Sequence, residues 1–231
     1  KKEEKYAVAI GTLLLDKQPD SAIQFLRVAL KEIPGSFLLR LGLARSYTAQ
    51  NKPDEALGIC NDILAMNPGQ VDVLKLKADL LDKKGMGTEA ITILENAYHI
   101  TPFDVELNYV LALRYAESKN PKLLALCDSL IRADTEGTHS EPYYYKGIYY
   151  SNTGDKGRAL SMFDEAVQHD YYFLDGYIEK GSILYEMKKY KDALAVFNLA
   201  LTISPQFADA YYWIAKCQEA TGKKEEARVN Y

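Results

Sequence analysis

The stretch LDGYIEKGSILYEMKKYKDALAVFNLALTISPQF, residues 174–207, carries the pattern that decides the fold. Apolar residues recur in it at helical spacing in two segments, which are separated by a polar turn near Lys188 and closed by Pro205. Counted from Leu174, the fourth, eighth, eleventh, twentieth, twenty-fourth and twenty-seventh residues are Tyr177, Gly181, Leu184, Ala193, Phe197 and Ala200. The pattern predicts two packed helices joined by a short turn.

The same unit recurs along the whole chain. Prolines stand 34 residues apart at Pro34, Pro68 and Pro102, and Pro205 follows Pro102 after 103 residues, which is three units and one residue. Small residues occupy the eighth position in six units: Ala44, Ala78, Ala112, Gly147, Gly181 and Ala215. Alanine occupies the twentieth position in six units: Ala22, Ala56, Ala90, Ala159, Ala193 and Ala227. The predicted repeats span 3–36, 37–70, 71–104, 105–139, 140–173, 174–207 and 208–231.

These residues resemble the tetratricopeptide repeat, a helix–turn–helix unit of about 34 residues. The resemblance implies an all-helical, right-handed superhelix of six full repeats and a partial seventh, forming one solenoid over residues 1–231. The small residues let the two helices of a unit approach closely. Larger residues at the fourth, eleventh and twenty-fourth positions are expected to fill the space around that contact, among them Tyr6, Tyr47, Tyr143, Phe163 and Phe197. The first unit has Ile10 at the eighth position, followed by Gly11.

The fourth unit departs from the pattern. Its turn, Lys119 to Lys122, is one residue short, which brings Leu123, Cys127 and Leu130 into the core register. The unit ends without a closing proline, so we expect a longer connection near residues 134–140. That connection is either a mild hinge between repeats or a surface loop without consequence.

Composition and motifs argue against several classes of function. The net charge is −4 and the basic residues are spread along the chain, which is atypical of nucleic-acid binders. The longest apolar run, Ala7 to Leu15, is too short for a transmembrane segment. The three cysteines lack the spacing of a metal site, and we expect Cys60 and Cys127 to be buried thiols. No catalytic constellation or cofactor motif is present, and we expect neither an enzyme nor a cofactor.

The resemblance also implies where a partner binds, because ligands of this family generally lie in a concave groove lined by the first helices. The second position carries an acid in five successive units, and tyrosines recur at the fifth, sixth and twelfth positions, with Trp213 at the sixth position of the last unit. The candidate groove residues are Asp72, Lys75, Glu106, Tyr109, Glu141, Tyr144, Tyr145, Asp175, Glu179, Tyr185 and Tyr212. Carboxylates and tyrosines suit an extended basic segment. Alternatively, acids in the first turn of a helix only complement its dipole.

The family resemblance therefore predicts a protein-interaction scaffold that holds a peptide or a partner helix. The charged start Lys1-Lys2-Glu3-Glu4 resembles the tether of a bacterial lipoprotein, which favours a lipid-anchored, periplasmic adaptor in an envelope assembly over a cytoplasmic protein. It equally suits an ordinary first helical turn. The alternative function is a regulatory or substrate-presenting arm of a larger multidomain enzyme or transcription regulator. The pattern stops within a second helix at Tyr231, which we interpret as part of a longer protein or as an uncapped end open to self-association.

Overall fold

The computed structural model describes residues 2–231, and these residues form fourteen helices and no strand. The helices are α1 (Lys2–Lys17), α2 (Pro19–Glu32), α3 (Phe37–Ala49), α4 (Pro53–Met66), α5 (Val71–Lys83), α6 (Gly87–Ile100), α7 (Val105–Glu117), α8 (Lys122–Ala133), α9 (Glu141–Asn152), α10 (Lys156–His169), α11 (Leu174–Glu186), α12 (Tyr190–Ile203), α13 (Ala208–Ala220) and α14 (Lys224–Asn230). Each predicted repeat contains one pair of helices. The prediction of an all-helical tetratricopeptide-type fold is confirmed.

Six of the seven turns within the described helix pairs close in the same way. The fifteenth residue of the repeat has a positive φ, which ends the first helix; these residues are Asn51, Gly85, Lys119, Gly154, Lys188 and Gly222. The N–H of the next residue then donates to a carbonyl five residues back, at 2.8 or 2.9 Å in every case. This left-handed cap satisfies a carbonyl of the last turn and reverses the chain. Only the first repeat differs, because Gln18 alone separates α1 from α2.

The turn within the fourth repeat is one residue short, and the chain is correspondingly tighter at the start of α8. The N–H of Leu123 donates to the carbonyl of Asn120, three residues back at 3.1 Å. The corresponding bond in the second repeat spans four residues, from Ala56 to Lys52. The tighter turn brings Leu123, and with it Cys127, into the core, where both are fully buried. The register predicted for this repeat is confirmed, with Leu130 also buried.

The predicted register of the first repeat is wrong by one residue. Tyr6, expected in the core, is 62% exposed, and Ile10 is exposed as well. Gly11 is buried instead and faces Leu26, so it takes the place that the eighth residue has in the other repeats. The physical reason is the short turn at Gln18, since α1 must rotate to keep its small residue against α2. The outward face of α1 consequently presents Tyr6, Ile10 and Leu13 to solvent.

The close contact between the two helices of a repeat joins its eighth and twenty-fourth positions. A Cβ atom on Gly147 would lie 2.5 Å from the ring of Phe163, and a Cβ on Gly181 would overlap the ring of Phe197 in the same way. In three repeats with alanine at the eighth position, the twenty-fourth is a buried residue smaller than phenylalanine: the pairs are Ala44 with Cys60, Ala78 with Leu94, and Ala112 with Cys127. The two positions are therefore matched in size within each of these repeats. The seventh repeat is an exception, since Ala215 is combined with Tyr231, which is exposed.

The three cysteines are free thiols buried in these cores, as predicted for Cys60 and Cys127. Burial raises the pKa of Cys60 to about 11, that of Cys127 to about 12 and that of Cys217 to about 11. Each thiol is therefore protonated at neutral pH and packs as a small apolar side chain.

The chain divides into two compact units, one ending at Leu107 and the other beginning at Asn108. The core of the first unit is built around Leu26, Leu39, Cys60 and Ile63. The second unit has cores around Phe163 and around Tyr177 and Phe197. The single solenoid over residues 1–231 stays a prediction.

The charged start of the chain falls partly outside the described residues, because Lys1 is not among them. Within α1, the carboxylate of Glu4 accepts a hydrogen bond from the hydroxyl of Ser36 at 2.6 Å. In the described part of the chain, no helix combines the length and apolarity needed to cross a membrane.

The size match predicts opposite effects for one substitution at two helical glycines. Gly181→Ala pushes a methyl group against Phe197, where even the third nearest ring atom would lie at 2.9 Å, and we expect it to lower the free energy of unfolding by about 1–3 kcal/mol. Gly58→Ala meets no atom within 4 Å and should raise the free energy of unfolding by about 0.5–1 kcal/mol. Urea denaturation followed by far-UV circular dichroism measures both.

Adding Phe197→Leu to Gly181→Ala recreates the size combination of Ala78 and Leu94. We expect the double variant to lose less free energy of unfolding than the two single variants lose together. Strict additivity would show that the two positions are not matched in size.

Candidate functional site

The first helices of successive repeats contact one another inside each unit. These contacts join α1 with α3 and α3 with α5 in the first unit, and α9 with α11 and α11 with α13 in the second. We call the surface that these helices share the first-helix face of a unit. The predicted groove residues belong to first helices and are divided between the two units.

The first unit contains Asp72, Lys75 and Glu106 of the predicted set. The Lys75 ammonium forms an ion pair with Glu106 and lies 3.9 Å from Asp104. The hydrogen bond to Glu106 raises the pKa of Lys75. Asp72 is exposed in the first turn of α5. Lys75 and Glu106 neutralise each other, so the net charge of these three residues is the one negative charge of Asp72.

The second unit holds a continuous row of aromatic rings. Tyr109 on α7 lies 6.4 Å from Tyr145 on α9, measured between ring centroids, and Tyr145 lies 5.9 Å from Tyr144. His139 extends the row at one end, 6.0 Å from Tyr109, and Phe173 at the other, 5.2 Å from Tyr144. The structure therefore brings three of the predicted tyrosines together.

The phenols of this row are half-buried beside carboxylates. Burial raises the pKa of Tyr109 to about 12, with Glu141 adding to the shift. Burial and Glu141 likewise raise the pKa of Tyr145 to about 12. The pKa of Tyr144 rises as well, through burial and the nearby charge of Glu179. All three hydroxyls therefore stay protonated at neutral pH and can donate hydrogen bonds.

A second group of rings lies on α11 and α13. Trp213 is half-buried, with its ring centroid 5.6 Å from Tyr185 and 5.8 Å from Tyr212. It also stacks on the core ring of Phe197 at 5.8 Å. Tyr212 is 48% exposed, so a large apolar ring faces solvent here. These side chains add aromatic area to the first-helix face of the second unit.

The remaining predicted residues of the second unit are the acids Glu141, Asp175 and Glu179. Glu141 begins α9 and its carboxylate lies 4.0 Å from the Nδ1 atom of His139. Asp175 is exposed in the first turn of α11. Glu179, one turn later, is half-buried, and burial raises its pKa, with Asp175 and Glu186 adding to the shift. The first-helix face of this unit thus combines tyrosines with carboxylates.

Tyr144 contributes to the core as well as to the first-helix face. Its ring also packs against Phe163 in the core, at 5.8 Å between centroids. His139 and Phe173 were not predicted as part of this surface. Both lie in connections between repeats, where helical periodicity carries no information on side-chain direction.

The connection between the fourth and fifth repeats positions one end of the aromatic row. It spans residues 134–140, whereas the other connections between repeats have four residues, so the predicted longer connection is confirmed. The Asp134 carboxylate accepts hydrogen bonds from the N–H groups of Gly137 at 3.0 Å and His139 at 2.8 Å. His169 Nδ1–H donates to the Gly137 carbonyl at 2.7 Å, and its ring stacks on Tyr143. These contacts hold the loop in place; a hinge there stays a hypothesis.

Within residues 2–231, no cluster of His, Cys, Asp and Glu side chains has the arrangement of a metal site. The side chains of the first-helix face of the second unit can stack on rings, donate hydrogen bonds from phenols and attract cations.

Comparison with known proteins finds tetratricopeptide repeats at both ends of the chain. A family profile described as "Tetratricopeptide repeat" matches residues 13–80, and one described as "TPR repeat" matches residues 181–222. A tetratricopeptide repeat protein from Parabacteroides merdae ATCC 43184 has a crystal structure that superimposes with a TM-score of 0.81 at 19% identity, over 100% of this chain and 91% of that chain. The structure of YrrB, described as a TPR protein with an unusual peptide-binding site, gives a TM-score of 0.58 at 20% identity, over 80% of this chain and 95% of that chain.

A curated relative is the DnaJ homolog subfamily C member 7 homolog of Schizosaccharomyces pombe. It is 26% identical over 188 residues, which is 80% of this chain. The chain spans only 35% of the length of that relative.

The loop at residues 134–140 generates a pH-dependent prediction. Hydrogen bonds from the backbone, the His139 N–H first, hold the pKa of Asp134 below its ordinary value of 3.8. A lowered pKa stabilises the fold above that ordinary value, and the stabilisation is lost as the pH falls through the folded pKa. We expect Asp134→Asn to have a lower urea midpoint than the wild type at pH 6. The difference between the two midpoints, the gap, should narrow below about pH 4. A gap that is unchanged at about pH 2.5 would contradict this role of the carboxylate charge.

Proposed function

The chain belongs to the tetratricopeptide repeat family, and we propose from that premise that it is a protein-interaction scaffold. It holds an extended peptide or a partner helix on the first-helix face of its second unit. The observation that carries the proposal is the set of tyrosine and tryptophan rings on α7, α9, α11 and α13, part of whose surface the cores leave uncovered. Tyrosine and tryptophan are the side chains that contribute most energy per residue at protein interfaces.

The sign of the charge on this face supports a basic partner. Glu141, Asp175 and Glu179 lie beside the tyrosines, and the lysines of α9 and α11 are paired with acids of the preceding second helices. Lysine and arginine side chains gain from aromatic faces as well as from carboxylates. A peptide partner is also consistent with the description of YrrB, whose fold is similar.

The role that we propose is that of a non-catalytic adaptor in an assembly at the bacterial envelope. The resemblance of Lys1-Lys2-Glu3-Glu4 to a lipoprotein tether supports a lipid-anchored, periplasmic location. Fractionation of cells that carry the complete gene tests it, since recovery of the protein in the cytoplasmic fraction contradicts it.

A second candidate is a regulatory or substrate-presenting arm of a larger enzyme or transcription regulator. It is favoured by the length of the curated relative, of which the chain spans 35%. The complete reading frame decides between the two candidates, because only the second requires a catalytic or DNA-binding domain on the same polypeptide.

Self-association is a further proposal about partners. Val229 is 85% exposed and Tyr231 is 61% exposed, beside a cavity also lined by Tyr211 and Tyr212. Sedimentation equilibrium of the wild type and of Val229→Asp tests it. A wild type that is monomeric at every concentration contradicts self-association through this end.

The binding face is tested with an array of synthetic peptides of random sequence, probed with the purified protein. We expect Tyr145→Ala combined with Tyr212→Ala to abolish the retention that the wild type shows, because two exposed or half-buried ring contacts are lost together. Tyr144 is left intact in this variant, since it also packs against the core.

The matched control is Tyr172→Ala, which removes a ring that is 74% exposed on the connection between the fifth and sixth repeats. It should retain peptides as the wild type does. Unchanged retention by the double variant, with its melting temperature preserved, means that peptides bind elsewhere.

A further inference from the structure

Glu179 holds a distinct position on the first-helix face of the second unit. It is the sixth residue of its repeat, so it lies one helical turn beyond the acids at the second position. Its side chain is half-buried, and the ionisable groups beside it are Tyr144 on α9 and Asp175 and Glu186 on its own helix. An acid at the second position complements the helix dipole, but one in the second turn gains little from it. The dipole therefore does not explain this carboxylate.

The lysines of the neighbouring first helices are engaged elsewhere. Lys146 of α9 pairs with Asp128 at 2.9 Å, and Lys180 of α11 pairs with Asp164. Lys216 of α13 lies 6.0 Å from the ring centroid of Tyr212. Across residues 2–231, as the structure describes them, Glu179 forms no ion pair, and the carboxylates of Asp175 and Glu186 on α11 repel it.

An unpaired carboxylate in a partly desolvated position costs free energy. Burial and the like charges of Asp175 and Glu186 accordingly raise the pKa of Glu179. A cation placed beside it would remove that cost and would form a charge-assisted hydrogen bond. The arrangement is thus incomplete within the chain and becomes favourable when a positive group is added.

The side chains next to Glu179 suit the stem and head of such a group. Helices α9 and α11 contact each other, and the charge of Glu179 acts on the phenol of Tyr144 and raises its pKa. The ring centroid of Tyr144 lies 5.9 Å from that of Tyr145 and 5.2 Å from that of Phe173. Aromatic faces pack against the methylene stem of lysine or the guanidinium plane of arginine and attract their positive charge. The aromatic row therefore provides a surface against which the stem of the side chain packs, and Glu179 provides the negative charge for its head.

We propose that Glu179, with Tyr144 as its aromatic wall, forms the subsite that binds one lysine or arginine side chain of the bound polypeptide. The subsite rests on the proposed function, since it needs a polypeptide on the first-helix face. It adds the residue that selects the ligand: Glu179 discriminates a basic side chain from a neutral one of the same length. The exposed acids at the second position contribute long-range attraction only, which salt screens.

The test uses immobilised decapeptide pools that are random except for one central residue. That residue is lysine, arginine, N-acetyl-lysine, leucine or glutamate in separate pools. We expect the lysine and arginine pools to retain the wild type about tenfold better than the acetyl-lysine and leucine pools, a ratio typical of one charge-assisted hydrogen bond. Acetylation keeps the length of the side chain and removes its charge, so this comparison isolates the cation.

The decisive variant is Glu179→Gln, which keeps the shape of the side chain. The variant should lose the preference for lysine and arginine. The acetyl-lysine and leucine pools should retain it as well as they retain the wild type. The matched control, Glu89→Gln on α6 of the first unit, removes the same charge outside the second unit and should keep the preference.

The outcomes distinguish failure of the subsite from failure of peptide binding. If all pools retain the wild type equally, the subsite is overturned and the proposal of peptide binding stands. A preference for basic pools that survives in Glu179→Gln assigns it to other acids and also overturns the subsite. Retention of no pool by the wild type overturns peptide binding on this face, and the subsite with it.

Discussion

The close approach of the two helices within each repeat is the constraint on which the rest of the structure depends. A small eighth residue lets a large twenty-fourth side chain cross the helix pair, as Gly181 does for Phe197. Once that contact is set, the other side of each helix is available for the neighbouring repeat. The third residue of a first helix uses this side: Gly176 faces Val167 of the preceding repeat so closely that a Cβ would lie 2.8 Å from it. Stacking thus follows from pairing, and only stacking buries the remaining apolar faces.

The binding face is a consequence of the same geometry. Because second helices and neighbouring repeats occupy two sides of each first helix, the fifth and sixth positions are left for other uses. In the second unit they carry Tyr144, Tyr145, Glu179, Tyr212 and Trp213. Several of these rings also touch the core, as Trp213 does through Phe197. Contact with the core reduces the exposed surface of the ring but fixes its direction. Less conformational entropy is therefore lost when a partner docks.

Periodicity predicted the helices and most of the core because the repeat supplies its own internal comparison. Seven copies place every helix within a narrow range, and even the deletion before Leu123 was visible as a shift of the apolar pattern. The register predicted for the first repeat was wrong because its turn differs from the turns of the other repeats. Only one residue separates α1 from α2, so α1 rotates and exposes Tyr6. The candidate face was predicted by position, but its internal pairing was not. The Lys75–Glu106 ion pair depends on side-chain rotamers, and the loop held by Asp134 depends on backbone turns, neither of which follows a helical period.

The size match between the eighth and twenty-fourth positions has a consequence for how such a chain can change its number of repeats. Both positions lie in one unit, so duplication or loss of a whole unit carries a compatible pair with it. A crossover inside the turn between the two helices would instead join Ala78 to a phenylalanine, or Gly147 to a leucine or cysteine. Alanine opposite phenylalanine overlaps, and glycine opposite cysteine leaves a void, whereas glycine opposite leucine already occurs as Gly11 with Leu26. Recombination is therefore tolerated at the connections between repeats and selected against within them, and the gene is expected to grow and shrink in steps of one whole unit.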